Sequence, residues 1–402
     1  MSQSPVLIAG QWRPAQATGT FHAENPATGE RLPEEFPISS WADCEAALNA
    51  AVEAAAVLRA EPPAQLAKFL TRFAERIEAR SVELVETAHQ ETGLPKSPRL
   101  AEIELPRTTG QLRQAAAAAL EGSWALPTID TKLNIRSVLE PLGPVCVFGP
   151  NNFPYAYNGI AGGDFAAAIA TGNPVIAKAH PCHPNTSRLL AEEAFAAVRE
   201  TGLPPATVQM LYNLAPADGL RLVADPRLGA TGFTGSRAAG LKLKAAADAA
   251  GKPIYLELSS LNPVVILPGA LAERGAKIAD EFTVSCLMAS GQFCTNPGVV
   301  ILTAGEAAEK FIASVAEKFA AAPVAPLLSA GVAGGLQNNL KKLQVAGAQL
   351  VVGGQSVKAP GHRFANTLLR DRCDGHDLDC RDAALRDSYR AYIFGDLHDL
   401  GD

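Results

Sequence analysis

Five short stretches of the chain hold residue types capable of chemistry. Cys294, in SGQFCTNPG (residues 290–298), stands on a connection between a glycine that stops a helix and a proline that starts a strand, where reactive side chains tend to be displayed. A free thiol ionises near ~8.5, so little of it is thiolate at neutral pH and its surroundings must activate it. A place just past a helix C-terminus works against that, because the negative end of the helix dipole disfavours thiolate. Backbone amides, a cationic cofactor ring or a nearby base must supply the difference. The alternative is a buried loop cysteine without chemistry. Cys286 and Cys146, on a helix and in an apolar run, read as core.

Glu257, in YLELSSLNP, ends an apolar strand. Desolvation there would raise its pKa and suit it to act as a base near neutrality, the alternative being a carboxylate turned to solvent. Asn152, in GPNNFPYAY, carries an amide that a tight turn would fix for donation to a developing oxyanion. Asn is favoured in turns regardless, and that explanation suffices for Asn151. Lys178, in VIAKAHPCHP, ends another apolar strand and suits ribose hydroxyls or a phosphate. His180 and His183 follow, but Pro181 breaks any helix face that would converge them, and no metal is expected. GFTGSRAAG, residues 232–240, reads as strand, Gly235-Ser236, then helix, an arrangement that cradles an anion at a helix N-terminus although it is not G-x-G-x-x-G. The spacing of Cys373, His376 and Cys380 hints at zinc and is read as accidental.

The elements that must hold these residues follow from pattern. Residues 1–36 read as an irregular lead-in with turn signals such as NPATGE, followed by amphipathic helical stretches up to about residue 122 with a kink expected at Pro106. The Ala-rich faces of those helices are assigned to packing alone. From residue 133 short apolar runs (LNIRSVLEP, GPVCVFGP, NPVIAKA, ATVQMLYN, GATGFTG, PIYLELS) alternate with helical stretches at 158–171, 185–201, 215–224 and 236–250. That alternation predicts βαβ units on a parallel sheet whose strands are buried on both faces. Chemistry in such sheets lies past the carboxyl ends of the strands, where FGPNNFP, AKAHP, GFTGS and LELSS fall. A helix over about 271–290 and the strand GVVILTAG open a second α/β unit, with a boundary near residue 260. Residues 370–402 hold nine aspartates and five arginines with no clear strand or helix period.

The bulk numbers bound the function. At 402 residues, 48% hydrophobic and 19% charged, the chain is a globular protein of two or three domains. A net charge of −6 argues against nucleic acid or an anionic membrane as a partner. The N-terminus lacks the pattern of a signal peptide, no apolar stretch is long enough to span a bilayer, and the seven dispersed cysteines suit a reducing cytoplasm.

Taken together and in this order, NFP (152–154), AKAHP (177–181), GFTGS (232–236), LELSSLNP (256–263) and GQFCTNPG (291–298) resemble the aldehyde dehydrogenase superfamily over roughly residues 5–365. The run NFPYAYNGIAGGDFAAAIATGNPVIAKAHPCHP and the form FCTNPG are similar to the branch of 2,5-dioxovalerate (α-ketoglutarate semialdehyde) dehydrogenases and related NADP-accepting enzymes. Asn151, where many relatives have Trp, suits that branch. The resemblance implies an α/β fold, with a Rossmann-like parallel-sheet nucleotide-binding domain (1–260, a strand near 133–140 belonging to the assembly sheet) and an α/β catalytic domain (261–369) that is C-terminally incomplete. Residues 370–402 form an anomalous Asp-rich tail. It implies Cys294 as nucleophile on a small-molecule aldehyde, Asn152 and the Cys294 amide as oxyanion donors, and Glu257 as the base that hydrolyses a thioester. It places the cofactor, NADP or NAD, against Pro150, Lys178, His180, Gly235 and Ser236, with Lys178 on the adenosine ribose and Ser236 on the pyrophosphate. The positive nicotinamide ring would offset the helix dipole at Cys294. NAD-preferring relatives often carry an acidic residue three places after the lysine; here that place is Pro181, so NADP is expected to be accepted. Relatives are homo-oligomers.

The sequence also departs from the resemblance. Relatives carry a second glutamate before an F-G-P element, whereas YIFGD (392–396) has no glutamate ahead of Phe394 and no proline after Gly395, so no residue is assigned from it. The change in composition near residue 370 looks like a frame shift with early termination, on which the chain as written is expected to be poorly soluble or inactive. The alternative function is therefore a truncated, catalytically inactive paralogue that retains nucleotide binding. A thiol esterase on the same scaffold is a third reading.

Overall fold

The computed structural model describes residues 3–372 and 389–394, and these divide into two compact units. Met1–Asn25 with Arg31–Glu257 form the first, and Pro26–Glu30 with Leu258–Asp402 the second.

The first unit is built on a seven-stranded sheet in the order Ile254–Leu258, Ala230–Gly235, Val145–Phe148, Val175–Lys178, Val208–Leu211, Val6–Ile8, Gln11–Arg13. The strands from Ala230–Gly235 to Val208–Leu211 pair in parallel. Val145–Phe148 and Val208–Leu211 are buried along their whole length, as strands of a covered parallel sheet are. The last two strands correct the expectation of an irregular lead-in. Val6–Ile8 is fully buried and pairs antiparallel with Val208–Leu211 through Leu7 and Met210, and Gln11–Arg13 adds itself outside it. Strands of three residues are too short to leave a periodic signal, and the partner of Val6–Ile8 lies some two hundred residues away.

The helices of this unit are α1 (Trp41–Leu58), α2 (Pro63–Ala79), α3 (Ser81–Thr92), α4 (Leu105–Glu121), α5 (Gly163–Ala170), α6 (Pro184–Thr201), α7 (Pro216–Val223) and α8 (Arg237–Ala249). In α2, Leu66, Phe69, Leu70, Phe73 and Ile77 recur at helical spacing and are buried, each contributing about 1.5–3 kcal/mol of apolar burial. The rings of Phe69 and Phe73 meet Phe165 of α5 at 6.4 and 5.8 Å. Pro106 does not kink a helix: a π-helical stretch, Lys96–Glu104, precedes it, and Pro106 sits in the first turn of α4, where a missing N–H costs nothing. Nor does a helix run from 158. Asn158 donates to Pro154 O and accepts from Ile160 N, and these local bonds hold the chain in turns until α5 begins.

The second unit carries a five-stranded sheet in the order Pro263–Ile266, Val299–Thr303, Tyr389–Phe394, Leu368–Arg372, Gln349–Val352. The first pair is parallel and the others antiparallel. Helices α9 (Pro268–Leu287), α10 (Glu306–Ala321) and α11 (Ala330–Val345) belong to it, and Phe282, Cys286, Val300, Leu302, Phe311, Val315 and Leu368 form its core. The end of the strand Leu368–Arg372 and the whole of Tyr389–Phe394 fall inside 370–402, the stretch that showed no clear strand or helix period. Tyr389–Phe394 takes its place between two other strands, and such pairing needs backbone rather than an alternating pattern. The remainder of 370–402, including Cys373, His376, Cys380 and the end of YIFGD, lies outside the described residues. Among the described residues no helix is long and apolar enough to cross a membrane.

Candidate active site

In the first unit, Leu211, Lys178, Phe148 and Phe233 stand in one register row across four neighbouring strands. The chain therefore leaves these strands at one level of one sheet edge. There the structure brings together Pro150 and Asn152 after Phe148, Lys178 and His180 at the head of α6, and Gly235 and Ser236 at the head of α8. Gly149 is required at the first exit: a Cβ on it would come within 2.8 Å of Tyr157 O and Gly159 N.

His183 Nε2 donates to Pro150 O at 2.8 Å, tying two of these loops and fixing the ring's tautomer. Its Nδ1 is buried without a partner among the described residues, and burial pulls its pKa down to about 4. His180 Nδ1 accepts from Cys182 N at 3.1 Å, and burial, then the charges of His183 and Lys178, hold its pKa well below the ordinary value. Both rings are therefore neutral at pH 7. Lys178 is half-buried, its Nζ makes no hydrogen bond or ion pair among the described residues, and burial lowers its pKa to about 8. Ser236 is the N-cap of α8: its Oγ accepts from Ala239 N at 3.3 Å and its hydroxyl hydrogen stays available to donate. An uncompensated lysine at the end of one strand, and an exposed helix N-terminus after a strand two places along the sheet, are groups that fit the anionic, hydroxyl-rich body of a dinucleotide.

The loop bearing Asn152 is held by two residues, Arg99 and Glu104, that the sequence analysis did not single out. Arg99 Nη2 donates to Asn152 O at 3.0 Å, and Arg99 Nη1 donates to Glu104. The other oxygen of Glu104 accepts from Tyr155 N at 2.8 Å and Ala156 N at 3.0 Å. The Arg99 guanidinium also lies over the Phe153 ring, 4.6 Å from its centre. Both charged residues are buried, and burial pushes the Glu104 carboxyl up against the opposing pull of Arg99 and the two amides. The available signal was a pair of opposite charges at the start of an otherwise Ala-rich helical stretch.

Glu257 corrects an expectation. Its strand, Ile254–Leu258, is the outermost of the sheet and alternates half-buried and exposed residues, with Tyr255 and Glu257 on the exposed side. An edge strand keeps one face open, so this carboxylate is solvated rather than desolvated.

In the second unit, Cys294 is half-buried in a turn closed by Asn296 N donating to Phe293 O at 3.0 Å. Asn262 Nδ2 donates to Cys294 O at 2.7 Å and to Asn296 O at 2.9 Å, while Ser260 Oγ lies 2.7 Å from Cys294 O. Gly298 N donates to Leu261 O at 2.7 Å, and a Cβ on Gly298 would strike that oxygen at 2.3 Å. On the other side of the turn, Gln292 is buried, its Oε1 accepting from Leu328 N and its Nε2 donating to Ala289 O. Ala289 and Ser290 adopt left-handed φ of 50° and 60°. In LELSSLNP the sequence draws attention to Glu257, and nothing in it marks the contacts that Ser260 and Asn262 make with the cysteine turn. Cys286 and Cys146 are buried core thiols, with pKa values pushed above the ordinary range by burial.

Comparison with known proteins gives the same direction. The sequence model of the aldehyde dehydrogenase family matches residues 12–380. The chain is 39% identical to alpha-ketoglutaric semialdehyde dehydrogenase 2 of Azospirillum brasilense over 89% of its length and 70% of the relative's. It is 35% identical to alpha-ketoglutaric semialdehyde dehydrogenase of Acinetobacter baylyi over 87% of its length and 68% of the relative's. Among solved structures, lactaldehyde dehydrogenase from Escherichia coli superposes with a TM-score of 0.80 at 23% identity, covering 91% of this chain and 76% of that one, which is a likeness of fold. With the α/β sheet and the family match in agreement, the chain belongs to the aldehyde dehydrogenase family, oxidoreductases that act on aldehydes with a nicotinamide nucleotide.

Proposed function

We propose that the chain oxidises a short semialdehyde of the 2,5-dioxopentanoate class to its carboxylate through a covalent bond to Cys294, accepting NADP as well as NAD. The observation that carries the reading is the Cys294 turn, a half-buried thiol whose own carbonyl is tied down by side-chain amide and hydroxyl groups. The activities for which the Azospirillum brasilense and Acinetobacter baylyi relatives are named support the substrate class.

In this account the Cys294 thiolate adds to the aldehyde carbon and a thiohemiacetal forms. The side-chain amide of Asn152 and the backbone N–H of Cys294 donate to the oxyanion. A bound nicotinamide supplies the acceptor for the hydride that this carbon loses, and a thioester on Cys294 remains. Glu257 then takes a proton from water, the hydroxide attacks the thioester, and carboxylate leaves as the thiol is restored. The exposure of Glu257 leaves it open to water, its partner in the step, without the desolvation expected to tune it as a base. Lys178 would hold the adenosine ribose, with Pro150 and His180 beside it, and Gly235 and Ser236 the pyrophosphate. Pro181 puts no carboxylate where a 2′-phosphate would be repelled.

Initial rates of semialdehyde-dependent reduction of NAD and of NADP, in the native chain and in Cys294→Ser, test the reading. Turnover with either nucleotide that falls by roughly 10³-fold or more in Cys294→Ser is expected. Undiminished oxidation by Cys294→Ser overturns the mechanism, and a strong preference for NAD overturns the nucleotide assignment. The alternative, nucleotide binding without turnover, is not favoured by the family match and would appear as a nucleotide-dependent shift in melting without oxidation. An esterase would hydrolyse esters with no nucleotide present.

We take the chain to be cytoplasmic, since its seven dispersed cysteines suit a reducing compartment. For assembly, we take the hairpin of Thr128–Asp130 and Ile135–Ser137 as the surface through which copies of the chain associate.

A further inference from the structure

We propose that Asn262, assisted by Ser260, is a positioning residue that locks the Cys294–Thr295 peptide in one orientation and so sets where the thiol points. The inference deepens the proposed function, because it rests on Cys294 as the nucleophile. The turn closed by Asn296 N and Phe293 O makes Cys294 and Thr295 its two central residues. The peptide between the central residues is the part of a β-turn that is free to flip: one orientation gives a type I turn and the opposite one a type II turn. The flip changes ψ of Cys294, and with it the direction of approach available to a nucleophile attached to that Cα.

Two features hold the present orientation. Both hydrogens of the Asn262 amide are used, one on Cys294 O at 2.7 Å and one on Asn296 O at 2.9 Å. These carbonyls belong to the second and fourth residues of the turn, so one rigid amide spans the peptide that would have to flip. Ser260 Oγ lies 2.7 Å from Cys294 O and 2.8 Å from Asn262 Oδ1; its single hydrogen serves one acceptor at a time, so it supports either the carbonyl or the amide that holds it. The clamp itself is placed by backbone. Asn262 has φ of 46°, a left-handed conformation that Asn tolerates better than most residues, and Gly298 N bonds back to Leu261 O at 2.7 Å. Because a trans peptide directs its C=O and N–H oppositely, tying down Cys294 O also turns the Thr295 N–H away from the clamp.

The experiment uses the whole chain with Asn262→Asp, Asn262→Gly and Ser260→Ala. Three readouts are taken: kcat and KM for the semialdehyde, the thermal midpoint, and the rate at which iodoacetamide alkylates Cys294, resolved from the other cysteines by peptide mass spectrometry. Asn262→Asp keeps the shape and the left-handed preference but sets a carboxylate against two carbonyls. Its kcat is expected to fall by roughly 30-fold or more with KM changed by less than about 3-fold, and its Cys294 alkylation rate to shift by about 10-fold relative to that of Cys182. Asn262→Gly, which keeps the backbone freedom and removes the amide, should show the same pattern in weaker form, and Ser260→Ala a change of about 2–5-fold. Should Asn262→Asp fail to fold, Asn262→Gly carries the same test. Native kcat and a native Cys294 alkylation rate in the folded Asn262 variants overturn the clamp. If the native chain oxidises no aldehyde while the variants still alter Cys294 alkylation, the proposed function falls and the clamp stands.

Discussion

Lys178 brings a positive charge to a half-buried strand end where its Nζ has neither a hydrogen bond nor an ion pair among the described residues. Burial lowers its pKa from 10.5 to about 8, so the folded chain gives up this proton at lower pH than the unfolded chain does. Between pH 8 and 10.5 the unfolded state then holds more protons, and stability from this group rises with pH across that window. Below pH 8 the folded state carries the full cost of the buried charge. Lys178→Met is therefore predicted to raise the thermal midpoint at pH 7 without nucleotide by about 2–5 °C and to flatten the rise above pH 8. It should also shrink the stabilisation produced by added NADP, because the lysine's place in the account is to meet the nucleotide. Melting curves from pH 7 to 10.5, with and without NADP, measure all three. A lower midpoint in the variant, or an NADP shift equal to the native one, contradicts this role. Lys178 and Glu257 stand out in the sequence because a polar group closing an apolar run is conspicuous, and Cys294 because it lies on a connection between elements. The solvation of Glu257 does not stand out, since nothing within YLELS marks it as the outermost strand.

At the scale of elements, the loop from Asn152 to Ala156 depends on the π-helical stretch before α4. Glu104 accepts two of its amides and binds Arg99, which in turn donates to Asn152 O. Glu104→Gln leaves the buried Arg99 guanidinium without its counter-charge, a change that costs about 3–5 kcal/mol. It is predicted to lower the urea midpoint markedly and to reduce kcat by moving Asn152, whereas Glu102→Gln, an exposed neighbour, should change stability by less than ~0.5 kcal/mol. Equal urea curves for the two variants would remove Glu104 from the account. The sequence signal for this pair is weak, because RLAEIELP shows three charges, Arg99, Glu102 and Glu104, of the kind that usually lie on a solvated face. The burial of Arg99 and Glu104 is decided by a loop some fifty positions away. The inner strands of the sheet were legible for the opposite reason: GPVCVFGP and NPVIAKA carry the short continuous apolar runs VCVF and VIA next to Gly and Pro turn signals, the pattern of a covered strand.

At the scale of the molecule, the contacts that close the sheets are the ones the chain hides best. Val6–Ile8 reaches a partner near residue 210, and Tyr389–Phe394 enters its sheet between Val299–Thr303 and Leu368–Arg372. Neither stretch advertises a strand, so the first residues read as lead-in and the last as patternless. The hairpin Thr128–Ser137 shows the converse: Ile129, Leu133 and Ile135 are 65%, 69% and 58% exposed, an apolar surface of the kind that marks association. On the proposal that copies of the chain associate through this hairpin, Ile129→Asp combined with Ile135→Asp is predicted to lower the mass measured by light scattering, at unchanged helix content. An unchanged mass would assign assembly to some other surface.

The central claim is that Cys294 carries the substrate as an acyl group. The most direct measurement is intact-protein and peptide mass spectrometry of Glu257→Gln mixed with a semialdehyde and NADP, since loss of the base slows hydrolysis and lets the acylated enzyme accumulate. The account predicts an added mass equal to the aldehyde less two hydrogens, located on the peptide containing Cys294 and absent without nucleotide. Reduction of NADP with no such adduct, together with undiminished oxidation in Cys294→Ser, would contradict it.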